Sequence, residues 1–103
     1  MKAIIEGKRY DTETADELAK ADNRLSYNDF NYCFESLYRT KKGAFFLAGE
    51  GGALSKYAGV CGNANCEGRG IIPLTEEDAL SWLEENKEVE LIEKYFAHKL
   101  DDA

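Results

Sequence analysis

The chain is short of histidine, proline and long apolar stretches, and each shortage removes a class of function. Among its 103 residues there is one histidine, His98, one proline, Pro73, and three cysteines. A single histidine leaves no His-Glu-x-x-His pair and no Ser-His-Asp set, and its neighbours Lys94, Lys99 and Leu100 offer no nucleophile. One proline and no Ser/Pro-rich linker give no sign of a domain boundary, so residues 1–103 are expected to form a single domain. No apolar run reaches the ~18–20 residues of a membrane span, so no bilayer crossing is expected. Cations are also scarce. Thirteen Lys and Arg face twenty Asp and Glu, a formal charge of −7. A protein that binds nucleic acid by broad phosphate neutralisation carries the opposite sign, so direct DNA binding is not expected. Met1-Lys2-Ala3-Ile4-Ile5-Glu6 reaches a charge too soon for a signal peptide, which makes the cytoplasm the expected location.

What the chain does have is enough apolar material for one modest core. Hydrophobic residues make up 44% and aromatics 12%, too apolar for a disordered chain. The charge is lopsided. Residues 1–74 hold ten acids and ten bases, whereas residues 75–103 hold ten acids and three bases. The whole excess therefore lies at the C-terminal end. Such asymmetry points to a charged partner.

The apolar pattern predicts an α+β domain, a small antiparallel sheet with helices packed on one face and two helices at the C-terminal end. Lys2–Ile5 and Lys8–Tyr10 read as a hairpin around Gly7. Thr12 or Thr14 is placed to cap a short helix with Ala15, Leu18 and Ala19 on one face. Asp22–Ser26 is a loop by composition. Phe30, Tyr32 and Phe34 alternate with Asn31, Cys33 and Glu35, which predicts a strand, with a phase change near Ser36 suggesting a bulge. Thr40-Lys41-Lys42-Gly43 has the residues of a type I turn ending in a left-handed glycine, and Ala44–Ala48 returns as the partner strand at the sheet centre. The glycine-rich stretch from Gly49 to Gly70 reads as a long loop, with one turn or short strand at Leu54–Ala58. Ile71-Ile72 reads as a strand that Pro73 places at an edge or end. Thr75 caps a helix with Glu76, Glu77 and Asp78 in its first turn. Ala79, Trp82 and Leu83 form its apolar stripe. Asn86-Lys87 breaks it, and Val89, Ile92, Phe96 and Leu100 mark a second helix.

Few constellations suggest chemistry. Cys33, Cys61, Cys66 and His98 make a nominal zinc set, but Cys33 falls in a strand and His98 on a helix, so no metal or other cofactor is expected. A Cys61–Cys66 disulfide is geometrically possible, yet the odd count and cytoplasmic setting favour three reduced thiols. Gly49-Glu50-Gly51-Gly52 lacks the Lys-Ser/Thr order of a phosphate loop and reads as a hairpin exit needing positive φ. The chain is accordingly read as non-enzymatic.

Four stretches carry a resemblance: Lys8–Ala15; Glu35–Gly43 running into Phe46–Gly52; Ser55–Ala58; and Ile71–Ala79. Together they resemble a family of short proteins carried by phages and integrative elements of Firmicutes, over about residues 7–96. Small acidic proteins of such elements often counter host defences, and some are anti-CRISPR inhibitors. The resemblance therefore implies a protein that binds and inhibits a defence complex in the bacterial cytoplasm, first of all a CRISPR effector nuclease. The alternative it implies is an accessory or regulatory protein of the element. It carries over no catalytic residue. Joined to the charge map, it suggests carboxylates standing in for DNA phosphates: Glu77, Asp78, Glu84, Glu85 and Glu88, with Glu77/Glu84 and Asp78/Glu85 about 10.5 Å apart along a helix. A second candidate surface comprises Tyr38, Arg39, Lys41 and Lys42 at the hairpin tip with Tyr57 and Arg69 of the glycine-rich stretch, as anchors for the effector or its guide RNA.

Overall fold

In a computed structural model, which describes residues 1–103, eight strands precede two helices. The strands are β1 (Lys2–Ile5), β2 (Lys8–Asp11), β3 (Asp16–Asp22), β4 (Cys33–Arg39), β5 (Phe45–Gly51), β6 (Gly59–Cys61), β7 (Ala64–Cys66) and β8 (Gly68–Leu74). The helices are α1 (Glu76–Glu85) and α2 (Val89–Phe96), followed by a 3₁₀ turn, Ala97–Lys99. The central sheet runs β3-β4-β5-β8, antiparallel throughout. The β4–β5 hairpin is its centre, as the alternation predicts. Gly43 closes the turn at φ +90°, which a side chain would resist.

Alternation then sorts the side chains to two faces. Leu37, Phe45 and Leu47 pack with Ala79, Trp82, Leu83, Ile92 and Phe96 on the helix side. Each large buried side chain there stabilises the fold by about 1.5–3 kcal/mol. Phe46 and Ala48 meet Tyr10 on the other side, where Ile5, Tyr38 and Ile71 join them. The β1–β2 hairpin thus covers part of the face opposite the helices. The α+β architecture with helices on one face is what the sequence predicts. No helix is long and apolar enough to cross a membrane.

Six expectations need correction. The segment expected as a helix behind Thr12 and Thr14 is strand β3. Its register slips between Glu17 and Ala19, so Leu18 is an extra residue that joins Ala19 and Ala21 on the core. A bulge puts neighbouring apolar residues on one side, which imitates helical spacing. For the same reason the irregularity expected near Ser36 lies in β3, and the β4–β5 register is unbroken. The strand expected from Phe30 starts at Cys33, leaving Phe30 67% exposed in the preceding loop. The supposed loop from Gly49 to Gly70 holds the end of β5, the β6–β7 hairpin and the start of β8. Finally, Cys61 and Cys66 are disulfide-bonded, with Cα atoms 5.8 Å apart, and only Cys33 is free. A tight hairpin brings the two thiols together whatever the parity of the cysteine count. In α2 the buried stripe is confined to Ile92 and Phe96. Val89, the first residue of the helix, is exposed, and so is Leu100, because the α-helix ends at Phe96.

Candidate functional site

The acidic face is built by α1. Thr75 caps the helix, its Oγ1 accepting from the Asp78 N–H at 3.1 Å. Glu76, Glu77 and Asp78 then sit where the helix dipole favours anions. Ala79, Trp82 and Leu83 are buried against the sheet. At 100° per residue, this leaves Glu77, Asp78, Ser81, Glu84 and Glu85 on the solvent arc, all exposed. Glu88 follows at the start of α2, half-buried. None of the five predicted acids forms an ion pair, nor do Glu90 and Glu93. Of the helical acids only Glu76 is matched, by Lys99 at 3.8 Å and His98 at 4.0 Å. Glu77, Asp78, Glu84 and Glu85 thus line the exposed face of α1 as unmatched carboxylates, and Glu88 stands beyond the helix end.

The second candidate surface does not come together. Tyr57 is 5% exposed and belongs to the interior. The Arg39 guanidinium lies over Tyr95 at 5.1 Å and Phe45 at 5.9 Å, on the helix side. Its neighbour Tyr38 faces the opposite way, stacked on Phe46 and donating to Glu17 at 3.0 Å. Burial and the Glu17 carboxylate both push the Tyr38 hydroxyl pKa up. Lys41 and Lys42 stay exposed at the turn. Arg69 sits at the other end of the sheet, opposite Glu50, beside Tyr27 and Tyr32.

The nominal zinc set is likewise dispersed, since Cys61 and Cys66 bond each other and His98 faces Glu76. Nor do Gly49, Gly51 and Gly52 take positive φ. A Cβ on Gly49 would meet the Tyr57 ring at 2.5 Å, and one on Gly52 would meet the Phe30 carbonyl oxygen at 2.6 Å. These glycines admit close neighbours, not a special backbone.

Sequence reasoning missed a buried carboxylate, Glu35. It accepts from Tyr57 Oη at 2.7 Å, Trp82 Nε1 at 2.9 Å and Lys56 Nζ at 2.8 Å. These partners come from a loop and from α1, so Glu35 ties both to β4. Burial and the adjacent Glu35 push the Tyr57 hydroxyl pKa far up, so it remains a donor. Cys33 lines one recess with Glu35, Lys56 and Trp82, its thiol pKa raised by burial and by Glu35 and opposed by Lys56. With both carboxylate oxygens occupied, Glu35 fastens the loop and α1 to β4. The available hint was a lone acid inside an apolar alternation, Phe34-Glu35-Ser36-Leu37.

Compared with known protein families, curated proteins and solved structures, the chain matches none.

Proposed function

We propose that the protein is a non-catalytic inhibitor that sets the carboxylate ridge of α1 into a basic, nucleic-acid-binding groove of a host defence nuclease. The observation that supports this is the run of unmatched acids Glu77, Asp78, Glu84, Glu85 and Glu88 on one helix and its exit. A strand of DNA carries one phosphate per about 3.4 Å of axis. Two carboxylates seven residues apart on α1, about 10.5 Å, span about three such steps. A helix with one face buried holds them at that spacing, so little conformational freedom is lost on binding. The resemblance to mobile-element proteins directs the reading to a CRISPR effector in the bacterial cytoplasm.

The test is capture by the tagged protein from bacteria expressing CRISPR effectors, at low and high salt. The variant E77Q/D78N/E84Q/E85Q/E88Q is run beside it, with its fold checked by circular dichroism. The expected result is an effector nuclease retained at low salt, released at high salt and not retained by the variant. An effector held equally by the variant moves the contact away from α1. No nuclease at either salt favours an accessory role in the mobile element.

A further inference from the structure

Four cations that the sequence scatters over two segments meet in one recess. Lys8 and Arg9 follow the Glu6-Gly7 turn, and Lys41 and Lys42 ride the β4–β5 turn some thirty positions later. All four are exposed and line a recess of about 590 Å³ between the two hairpins. That lies within the roughly 300–1,000 Å³ of small-ligand sites.

The walls are held in place. Tyr10 packs edge-on against Phe46 at 5.5 Å, fixing the N-terminal hairpin to the sheet. The β4–β5 turn is closed by Gly43 N–H to Thr40 O at 2.9 Å and Ala44 N–H to Thr40 Oγ1 at 3.0 Å. Lys8, Arg9 and Lys42 have no carboxylate partner, and Lys41 reaches only the exposed Asp16 at 3.4 Å. One carboxylate lines the recess, Asp11, and it is already engaged. Its Oδ1 accepts from Glu13 N–H at 2.9 Å and its Oδ2 faces Lys2 Nζ at 3.8 Å. Four cations against two acids, Asp11 and the Asp16 beside Lys41, leave a local excess of positive charge in a chain of net −7.

We infer that this recess binds linked phosphates. Like charges gathered around one concavity repel, and a compact polyanion relieves that repulsion more fully than a single-charged carboxylate. Arg9 supplies a fork for two phosphate oxygens and the lysines supply mobile point charges. Thr14 adds a hydroxyl whose present bond, to Asp11 O at 3.5 Å, is too long to hold it. The acids of α1 do not cancel the site. They lie across the sheet, two packed layers or about 20 Å away, against a screening length of about 8 Å at physiological salt. The ligand is either a free polyphosphate anion or the backbone of a nucleic-acid strand, which share this chemistry.

The experiment is an amide-resolved NMR titration of the full chain at about 50 mM salt. Three probes are used: inorganic tripolyphosphate, a short oligothymidylate, and polyglutamate of matched charge. The expected result is saturating shifts at Gly7–Arg9 and Lys41–Gly43 with a phosphate probe. K8E/K42E, which alters two exposed side chains, should keep its amide dispersion and lose at least about ten-fold in affinity. If the oligothymidylate binds more tightly, the source is a strand. Its affinity should then fall on the order of 20-fold by about 200 mM salt, for three phosphates engaged. If tripolyphosphate binds more tightly, the source is a free anion. Absence of saturating shifts at those amides with either phosphate overturns the inference, as do shifts that survive K8E/K42E. Polyglutamate binding as tightly as tripolyphosphate also overturns it, in favour of an acidic peptide segment. The inference stands apart from the α1 ridge, so the Gln/Asn variant of that ridge should titrate like the parent.

Discussion

Glu35 lies 8% exposed, and stripping a partner from a buried carboxylate costs more than the bond returns. Tyr57→Phe removes one donor and keeps the ring that fills the space over Gly49. It should destabilise the fold by about 1–3 kcal/mol in urea titration. The pH dependence has a definite sign. The native Tyr57 hydroxyl has a pKa raised above the ordinary value of 10.0, through burial and then Glu35. Its contribution to stability is therefore complete below pH ~10, the unfolded pKa, and is lost as pH rises from there toward the raised value. Urea midpoints of parent and Tyr57→Phe should differ by a constant amount below pH ~9 and converge above it. A gap that persists unchanged to pH ~11 would contradict the assignment.

Elements with local signals were legible in the sequence, and elements made by distant contacts were not. The β4–β5 hairpin announces itself through alternation and the Thr40–Gly43 turn. Helix α1 does so through Thr75 and the Ala79/Trp82/Leu83 stripe. Strand β3 was hidden because the bulge at Leu18 breaks period two. Strands β6 and β7 were hidden because a disulfide, not an apolar pattern, joins them. The placement of Glu77, Asp78, Glu84 and Glu85 on one exposed face was readable since these four share one helix, whereas Glu88 falls beyond its end. Glu35 was not, because its partners stand 21, 22 and 47 positions away. The recess at Lys8 and Lys41 was equally out of view, being made by two hairpins meeting. The β6–β7 hairpin contributes no residue to either buried cluster. Its disulfide closes a short loop worth about 2 kcal/mol on chain-entropy grounds, and that effect should stay local. Reduction is expected to speed hydrogen exchange at residues 59–66 while the melting temperature of the sheet barely moves. A cooperative drop of the whole transition would show the hairpin to be integral to the core.

Seen whole, the molecule is a three-layered object whose helix layer carries the excess acids, while its hairpin layer balances Lys2, Lys8 and Arg9 against Glu6, Asp11 and Glu13. The unmatched acids of α1 and α2 repel one another in the folded state, and exposed ion pairs return little. Raising salt from about 0.01 to about 1 M shortens the screening length from ~30 to ~3 Å. Calorimetry should therefore show a rising melting temperature, and the rise should shrink in E77Q/D78N/E84Q/E85Q/E88Q. A fall with salt, or an equal rise in the variant, would assign the effect elsewhere. The span from Glu35 to Trp82 also orders events in time. A ribosome adds about 5–20 residues per second, so the 47 positions between these two take roughly 2–9 s to make. Once β5 is made within that interval, the β4–β5 hairpin has no helix to cover Leu37, Phe45 and Leu47, and Glu35 has no indole N–H to receive. The nascent chain must wait for its C-terminal third before its interior can close, and for those seconds it presents a sticky half-sheet to whatever chaperone stands nearest.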